Sequence, residues 1–162
     1  MTTPNPHRVR TAEAYDEQDI LALCAMLNYE NAMFPPDFDK IRMRIRSAIS
    51  GPVHERQGVI GVVGGNGRPM EGMAYITLFQ DWYTASWSAK ELFNFVHPDF
   101  RSGTSNSHDL IAWSKGCADA FTVPLFMGIL SVHRTEAKVR HYRAQFGAPI
   151  GAYFAYGLEG AA

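Results

Sequence analysis

The chain has 162 residues, 46% of them hydrophobic and 19% charged. A length of this order suits a single domain that buries roughly 70% of its unfolded surface, which excludes a mainly disordered chain. A formal net charge of −1 removes the diffuse basic field that carries non-specific nucleic-acid binding, so nucleic acid is not an expected partner.

The two cysteines, Cys24 and Cys117, have no CxxC spacing, so neither a zinc knuckle nor a disulfide framework is suggested. The N-terminus, MTTPNPHRVR, lacks an apolar signal core. The most apolar stretch, residues 123–130, is too short for a membrane span. A cytoplasmic protein with no membrane partner is expected. No repeat or long linker divides the chain, which reads as one domain over 1–162 with its core at about 8–157 and a short flexible tail at each end.

In chain order, the first signal is a short strand candidate around Val9. Ile20, Leu21, Leu23, Cys24 and Leu27 then fall on one helical face, with Asp16 placed to cap the helix. A Phe34-Pro35-Pro36 break follows. Phe38, Ile41, Ile45 and Ile49 mark a second helix, capped by Asp37 and stopped by Gly51-Pro52.

Residues 58–63 read as a buried strand, and Asn66-Gly67 is a hairpin turn signal into a strand over 70–79. Segment 80–90, with Trp82, Tyr83 and Trp87, reads as another hairpin tip, and 92–96 as the returning strand. Leu110, Ile111, Cys117, Ala118 and Phe121 form a helical stripe within 107–121. Residues 124–131 suit a central strand, 135–146 a basic helix and 152–156 a final strand. The order β-α-α-β-β-β-α-β-α-β mixes hairpins with crossovers. It predicts an α/β (α+β) fold with a mixed sheet and helices on both faces.

The most informative stretch is residues 92–111, LFNFVHPDFRSGTSNSHDLI, in which a short apolar strand passes through a proline into a Gly/Ser/Thr-rich loop that opens a helix. First-turn N–H groups lack intrahelical partners and lie at the positive end of the helix dipole, so such a turn is a natural anion cradle. Arg101 adds a positive charge at its mouth.

The element order and this loop resemble the GNAT superfamily of acyl-CoA-dependent N-acetyltransferases over nearly the whole chain. The family signature Val-x-Pro-x-x-Arg-x-x-Gly-x-Gly/Ala reads here Val96-His97-Pro98-Asp99-Phe100-Arg101-Ser102-Gly103-Thr104-Ser105-Asn106. Val96, Pro98 and Arg101 match, whereas Thr104 and Asn106 stand where glycines are usual. The chain also looks like the phage- and prophage-associated GNAT-like proteins, whose loop is rich in Ser and Thr.

The resemblance implies a splayed central sheet and acetyl-CoA as co-substrate, with no metal. Phe95 and Val96 would pair with the pantetheine arm. Arg101, Ser102, Gly103, Thr104, Ser105, Asn106 and Ser107 would hold the pyrophosphate through backbone N–H groups and hydroxyls. Glycine gives a phosphate close access and permits positive φ, and Asn tolerates positive φ better than most residues.

Amide formation from a thioester needs a neutral amine and a proton for the departing thiolate. The resemblance makes Tyr142 the acid, although the usual Tyr-x-x-x-Gly is one residue longer here, ending at Gly147, and the family's frequent Asn earlier in that helix is missing. Glu91 is the candidate base, followed by His133, His141 and Glu30. The His97/Asp99 and His108/Asp109 pairs read as surface or capping groups, without metal spacing.

In the family the acceptor lies between the first two helices and the aromatic hairpin. That makes Tyr29, Glu30, Trp82 and Tyr83 the substrate-binding candidates, with Asn31 nearby. Phe34, Trp82, Tyr83 and Trp87 serve equally well as homodimer contacts. Arg134, Lys138, Arg140 and Arg143 suit either a solvated face or the 3′-phosphate of coenzyme A.

The function implied is acetyl transfer to a primary amine of a small molecule or protein. Two alternatives stay open: a non-catalytic coenzyme A-binding or interaction protein of the same fold, and phage-related modification of a nucleic-acid base.

Overall fold

A computed structural model describes residues 5–131 and 133–154. The elements run β1 (Arg10–Thr11), α1 (Glu17–Asn31), α2 (Phe38–Ile49), β2 (Val59–Gly64), β3 (Met70–Gln80), β4 (Trp87–Val96), α3 (Asn106–Phe121), β5 (Leu125–Phe126) and α4 (Thr135–Phe146). The strands form one sheet in the order β1-β2-β3-β4-β5. The first four are antiparallel to their neighbours, and β5 runs parallel to β4. Sheet and helices thus form the expected mixed α/β architecture.

The two apolar faces of the sheet are covered by different helices. On one side, Ile20, Leu23 and Cys24 of α1 and Ile45 and Ile49 of α2 pack on Ile60, Val62, Met73 and Tyr75. Each fully buried aliphatic side chain there contributes about 1.5–3 kcal/mol. On the other side, Leu110 packs with Val63, Ala74 and Val96, and Ala118 with Ile76 and Ala89. Trp113 of α3 reaches the sheet because Gly61 lies beneath it: a Cβ on Gly61 would sit 2.7 Å from the indole ring.

Local signals are met where they use the backbone. The Asp37 carboxylate caps α2, accepting the Lys40 N–H at 3.0 Å. Asn66 and Gly67 both adopt positive φ, +56° and +84°, as the β2–β3 hairpin requires. Asp16, in contrast, makes no capping bond to α1. Its carboxylate is engaged by the Arg10 guanidinium at 2.6 and 2.7 Å and by the Glu13 N–H.

Other expectations change. The first strand is Arg10–Thr11, directly after the buried Val9. Strand β4 starts at Trp87, so much of segment 80–90 is ladder rather than loop. Backbone pairing such as Phe79 with Ser88 holds it together where side chains face water, without an apolar alternation to betray it. Residues 124–131 form no central strand. Only Leu125 and Phe126 pair, at the sheet edge, and no residue of that run is buried. Residues 152–154 are not in a strand, and residues 155 and 156 of the expected final strand lie outside the described residues.

Candidate active site

The site begins with a β-bulge. Tyr75 pairs with Phe93 and Ile76 with Glu91, so Leu92 has no opposite number on β3. Alternation along a strand would send residues three apart to opposite faces, and the extra residue cancels one step. Glu91 and Asn94 therefore point to the same side, the side of their ladder partners Ile76 and Ala74. Leu92 is expelled and is 41% exposed.

Glu91 is thus no hairpin-tip carboxylate. It is 8% exposed in the middle of β4. Its Oε1 accepts the Tyr142 hydroxyl of α4 at 2.9 Å, and its Oε2 accepts the Gly128 N–H at 3.3 Å. The two residues expected separately as base and acid, 51 positions apart, are one hydrogen-bonded pair.

Burial pushes the Glu91 carboxyl up to about 7, while the bonds from Tyr142 and Gly128 hold it back. The Tyr142 phenol is raised well above its ordinary range, first by burial and then by the neighbouring carboxylate. Tyr142 therefore holds its proton tightly. The Asn94 carboxamide acts on the phenol in the opposite direction.

Beside this pair the sheet opens. Strand β4 is joined to β5 only at Ala89 and Lys90. From Glu91 to Val96 its flank on that side has no strand partner among the described residues, which is the splay the resemblance implied. The side chains of Phe95 and Val96 are buried on opposite faces of the sheet, leaving the backbone at the opening.

The following loop leaves backbone N–H groups free and uses its side chains elsewhere. Gly103 takes φ +73°, whereas Thr104 and Asn106 do not have positive φ. The two residues that replace the family's glycines therefore carry no left-handed strain. Among the described residues, the N–H groups of Ser102, Gly103, Thr104, Ser105, Ser107 and His108 make no hydrogen bond.

The side chains expected at the pyrophosphate are mostly turned inward. Thr104 donates to the Phe100 carbonyl and Ser105 to Asp109 at 2.8 Å. Asn106 is fully buried and donates to Glu71 at 2.9 Å. Arg101 bonds the Val96 carbonyl through Nε at 2.9 Å, pairs with Glu30 at 2.8 Å, and covers the Phe95 ring. Its charge is balanced by Glu30 instead of standing free at the mouth. Asp109, expected at the surface, is buried and accepts from Asn5, Arg8 and Ser105. His97 caps the turn, its ring accepting the Asp99 N–H at 3.2 Å.

Ser107 meets His141 of α4, Oγ to Nε2, at 2.8 Å. Burial and the neighbouring His108 keep His141 below its ordinary range. His133 is exposed, and Lys138 is bonded to Asn31 and Ser131. Among the described residues, no three His, Cys, Asp or Glu side chains are grouped to hold a metal ion. No described helix is long and apolar enough to cross a membrane.

The acceptor candidates do not converge. Tyr29 and Glu30 line a surface hollow with Ala25, Met26 and Pro98, beyond the C-terminal end of β4. Trp82 and Tyr83, 96% and 71% exposed, sit at the other end, before Trp87. At ~3.3 Å per residue, β4 separates the two groups by about 30 Å. Asn94 was missed by sequence reasoning, because its place beside Glu91 depends on the bulge.

No family sequence model matches the chain, and no curated protein sequence is similar to it. Solved structures are similar. A possible acetyltransferase from Clostridium difficile 630 superimposes with a TM-score of 0.69 at 15% identity, covering 91% of this chain and 95% of the other. A ribosomal-protein-alanine N-acetyltransferase from Brucella melitensis biovar Abortus 2308 gives 0.63 at 14%, covering 91% and 94%. AAC(6')-Iy, in complex with the bisubstrate analogue CoA-S-monomethyl-acetylneamine, gives 0.64 at 14%, covering 91% and 95%. Sheet, helices and splayed edge together give this chain the fold of the GNAT acetyltransferases.

Proposed function

We propose that this chain transfers an acetyl group from acetyl-CoA to a primary amine. The observation that carries the reading is the half-buried Glu91–Tyr142 hydrogen bond at 2.9 Å, placed where β4 parts from β5. The residues present suit the co-substrate: the flank of β4 from Glu91 to Val96, unpaired among the described residues, can extend along an amide-bearing arm, and the free N–H groups of Ser102, Gly103, Thr104, Ser105 and Ser107 can receive phosphate oxygens. Acetyl-CoA supplies an acyl group activated as a thioester.

The chain's own residues then manage protons. Ionised Glu91 takes a proton from the attacking amine, directly or through water. Tyr142 gives its phenolic proton to the departing sulfur as the C–N bond forms and the C–S bond breaks. Protonated Glu91 returns a proton to Tyr142 across their hydrogen bond, which restores the phenol. Base and acid joined in this way move one proton from nitrogen to sulfur without charging the phenol at rest. The Arg101–Glu30 pair holds the loop against α1.

Titration of acetyl-CoA by calorimetry, followed by thiol release across a panel of amines, tests this reading. Binding and turnover are expected, with turnover strongly reduced in Tyr142→Phe. Absence of binding by folded protein at millimolar acetyl-CoA would falsify it. Persistent turnover in Tyr142→Phe would remove that residue as the acid.

One observation favours a second reading, a coenzyme A-binding protein without turnover. The Tyr142 phenol is raised and already bonded to Glu91, which makes it a weak donor. Coenzyme A binding with no thiol release from any amine would select it. An origin in the phage-associated subgroup, a cytoplasmic location, a single domain over 1–162 and a homodimer through the exposed aromatics belong to the same proposal.

A further inference from the structure

The Glu91–Tyr142 pair has a third neighbour, Asn94, whose amide nitrogen is not placed to complete a hydrogen bond. The Nδ2 of Asn94 is buried and has no hydrogen-bond partner. A buried amide donor left without an acceptor is costly, so such groups are rare and call for an explanation. Its position is set by the β-bulge: with Leu92 expelled, Asn94 faces the same side as Glu91 and approaches the Tyr142 phenol. It also lies on the part of β4 that has no β5 neighbour.

Neither the Glu91 oxygens nor the Tyr142 hydroxyl receives the Asn94 Nδ2–H with hydrogen-bond geometry, although each has a lone pair to spare. Glu91 Oε1 is held by Tyr142 and Oε2 by Gly128. The unused donor therefore points to an oxygen that the protein does not supply. A carbonyl oxygen in the opening, near both a proton acceptor and a proton donor, meets that description.

We propose that Asn94 is a catalytic residue whose Nδ2–H donates to the acyl carbonyl oxygen of the bound thioester and polarises it toward attack by the amine. This deepens the acetyl-transfer reading and rests on it. A donor aimed at developing negative charge on oxygen is worth about 10²–10³ in kcat in comparable cases. The bulge thereby gains a purpose: it gathers proton acceptor and carbonyl donor on one face of one strand.

The test uses the whole chain and acetyl-CoA labelled with ¹³C at the carbonyl. Infrared difference spectra of the bound thioester are compared for wild type, Asn94→Ala and Asn94→Leu, with binding measured separately by calorimetry. Two variants are used because the loss of one to misfolding leaves the other as the comparison.

The expected result is a carbonyl band at lower frequency in wild type than in either variant. Variant kcat should fall about 10²-fold or more while KM for acetyl-CoA changes little. Bound acetyl-CoA with the same carbonyl frequency in all three proteins overturns the role of Asn94 and leaves acetyl transfer standing. Failure of wild type to bind acetyl-CoA overturns both.

Discussion

The two sides of β4 are built differently. Toward β3 it is paired along its length and sandwiched between helices that bury Ile20, Ile45 and Leu110 completely. Toward β5 it has two paired residues, and α4 beyond them buries none of its own residues. Yet α4 brings Tyr142 and His141, two of the residues with chemical potential. The difference teaches that the candidate site is a seam: a well-packed half fixes Glu91 and Asn94, and a lightly attached half supplies the proton donor.

The largest effect should come from breaking the packed half. Ile45→Ala leaves a cavity under the sheet and should cost about 2–5 kcal/mol in denaturant unfolding. Val139→Ala in α4 should cost far less, because no residue of that helix is buried. Equal losses would remove the contrast. Gly61→Ala comes next: its Cβ would meet the Trp113 ring at 2.7 Å, and overpacking of this kind costs about 1–3 kcal/mol.

Across the seam, titration of Glu91 gives a signed expectation. The folded chain keeps this proton up to about pH 7, whereas the unfolded chain releases it near 4.5. Folding therefore takes up a proton between those values, and Glu91's contribution to stability is lost as pH rises through that window. Glu91→Gln should flatten the fall measured by thermal melts from pH 4.5 to 8. A wild-type curve already flat over that range contradicts a buried, proton-retaining Glu91.

Tyr142→Phe removes one hydrogen bond, worth about 1 kcal/mol net. Because that bond holds the Glu91 carboxyl down, its loss should also move the ionisation of Glu91, read by carboxylate infrared titration, to higher pH. An unmoved titration would mean that the bond is not formed in solution. Smallest of all, Glu30→Gln breaks a partly exposed pair with Arg101 and should cost no more than about 1 kcal/mol.

The sequence made the packed half legible because periodic burial writes itself into apolar spacing. Ile20, Leu23 and Cys24, or Ile45 and Ile49, are spaced for a helix and buried as one. The seam was legible only through resemblance. Glu91 and Tyr142 were named as candidates, but nothing local states that they touch, since their contact depends on how α4 crosses the end of the sheet.

The bulge was invisible for a related reason. Its evidence is the pairing of Glu91 with Ile76 and Phe93 with Tyr75, a property of two strands rather than of either sequence. Residues 124–131 misled in the opposite direction. Their apolar content suggests a central strand, whereas the sheet ends after Leu125 and Phe126. Likewise Arg101 carries the right charge in the right motif, yet Glu30, 71 positions away, takes it.

Hydrogen exchange of the whole chain with and without acetyl-CoA tests the central claim most directly, because it reports where along β4 and its loop a ligand settles. The account predicts new protection in the backbone of Glu91 to Val96 and of Ser102 to Ser107, and in α4 around Tyr142 as the seam closes. No change in those segments at saturating acetyl-CoA, or protection placed instead at Trp82 and Tyr83, would contradict it.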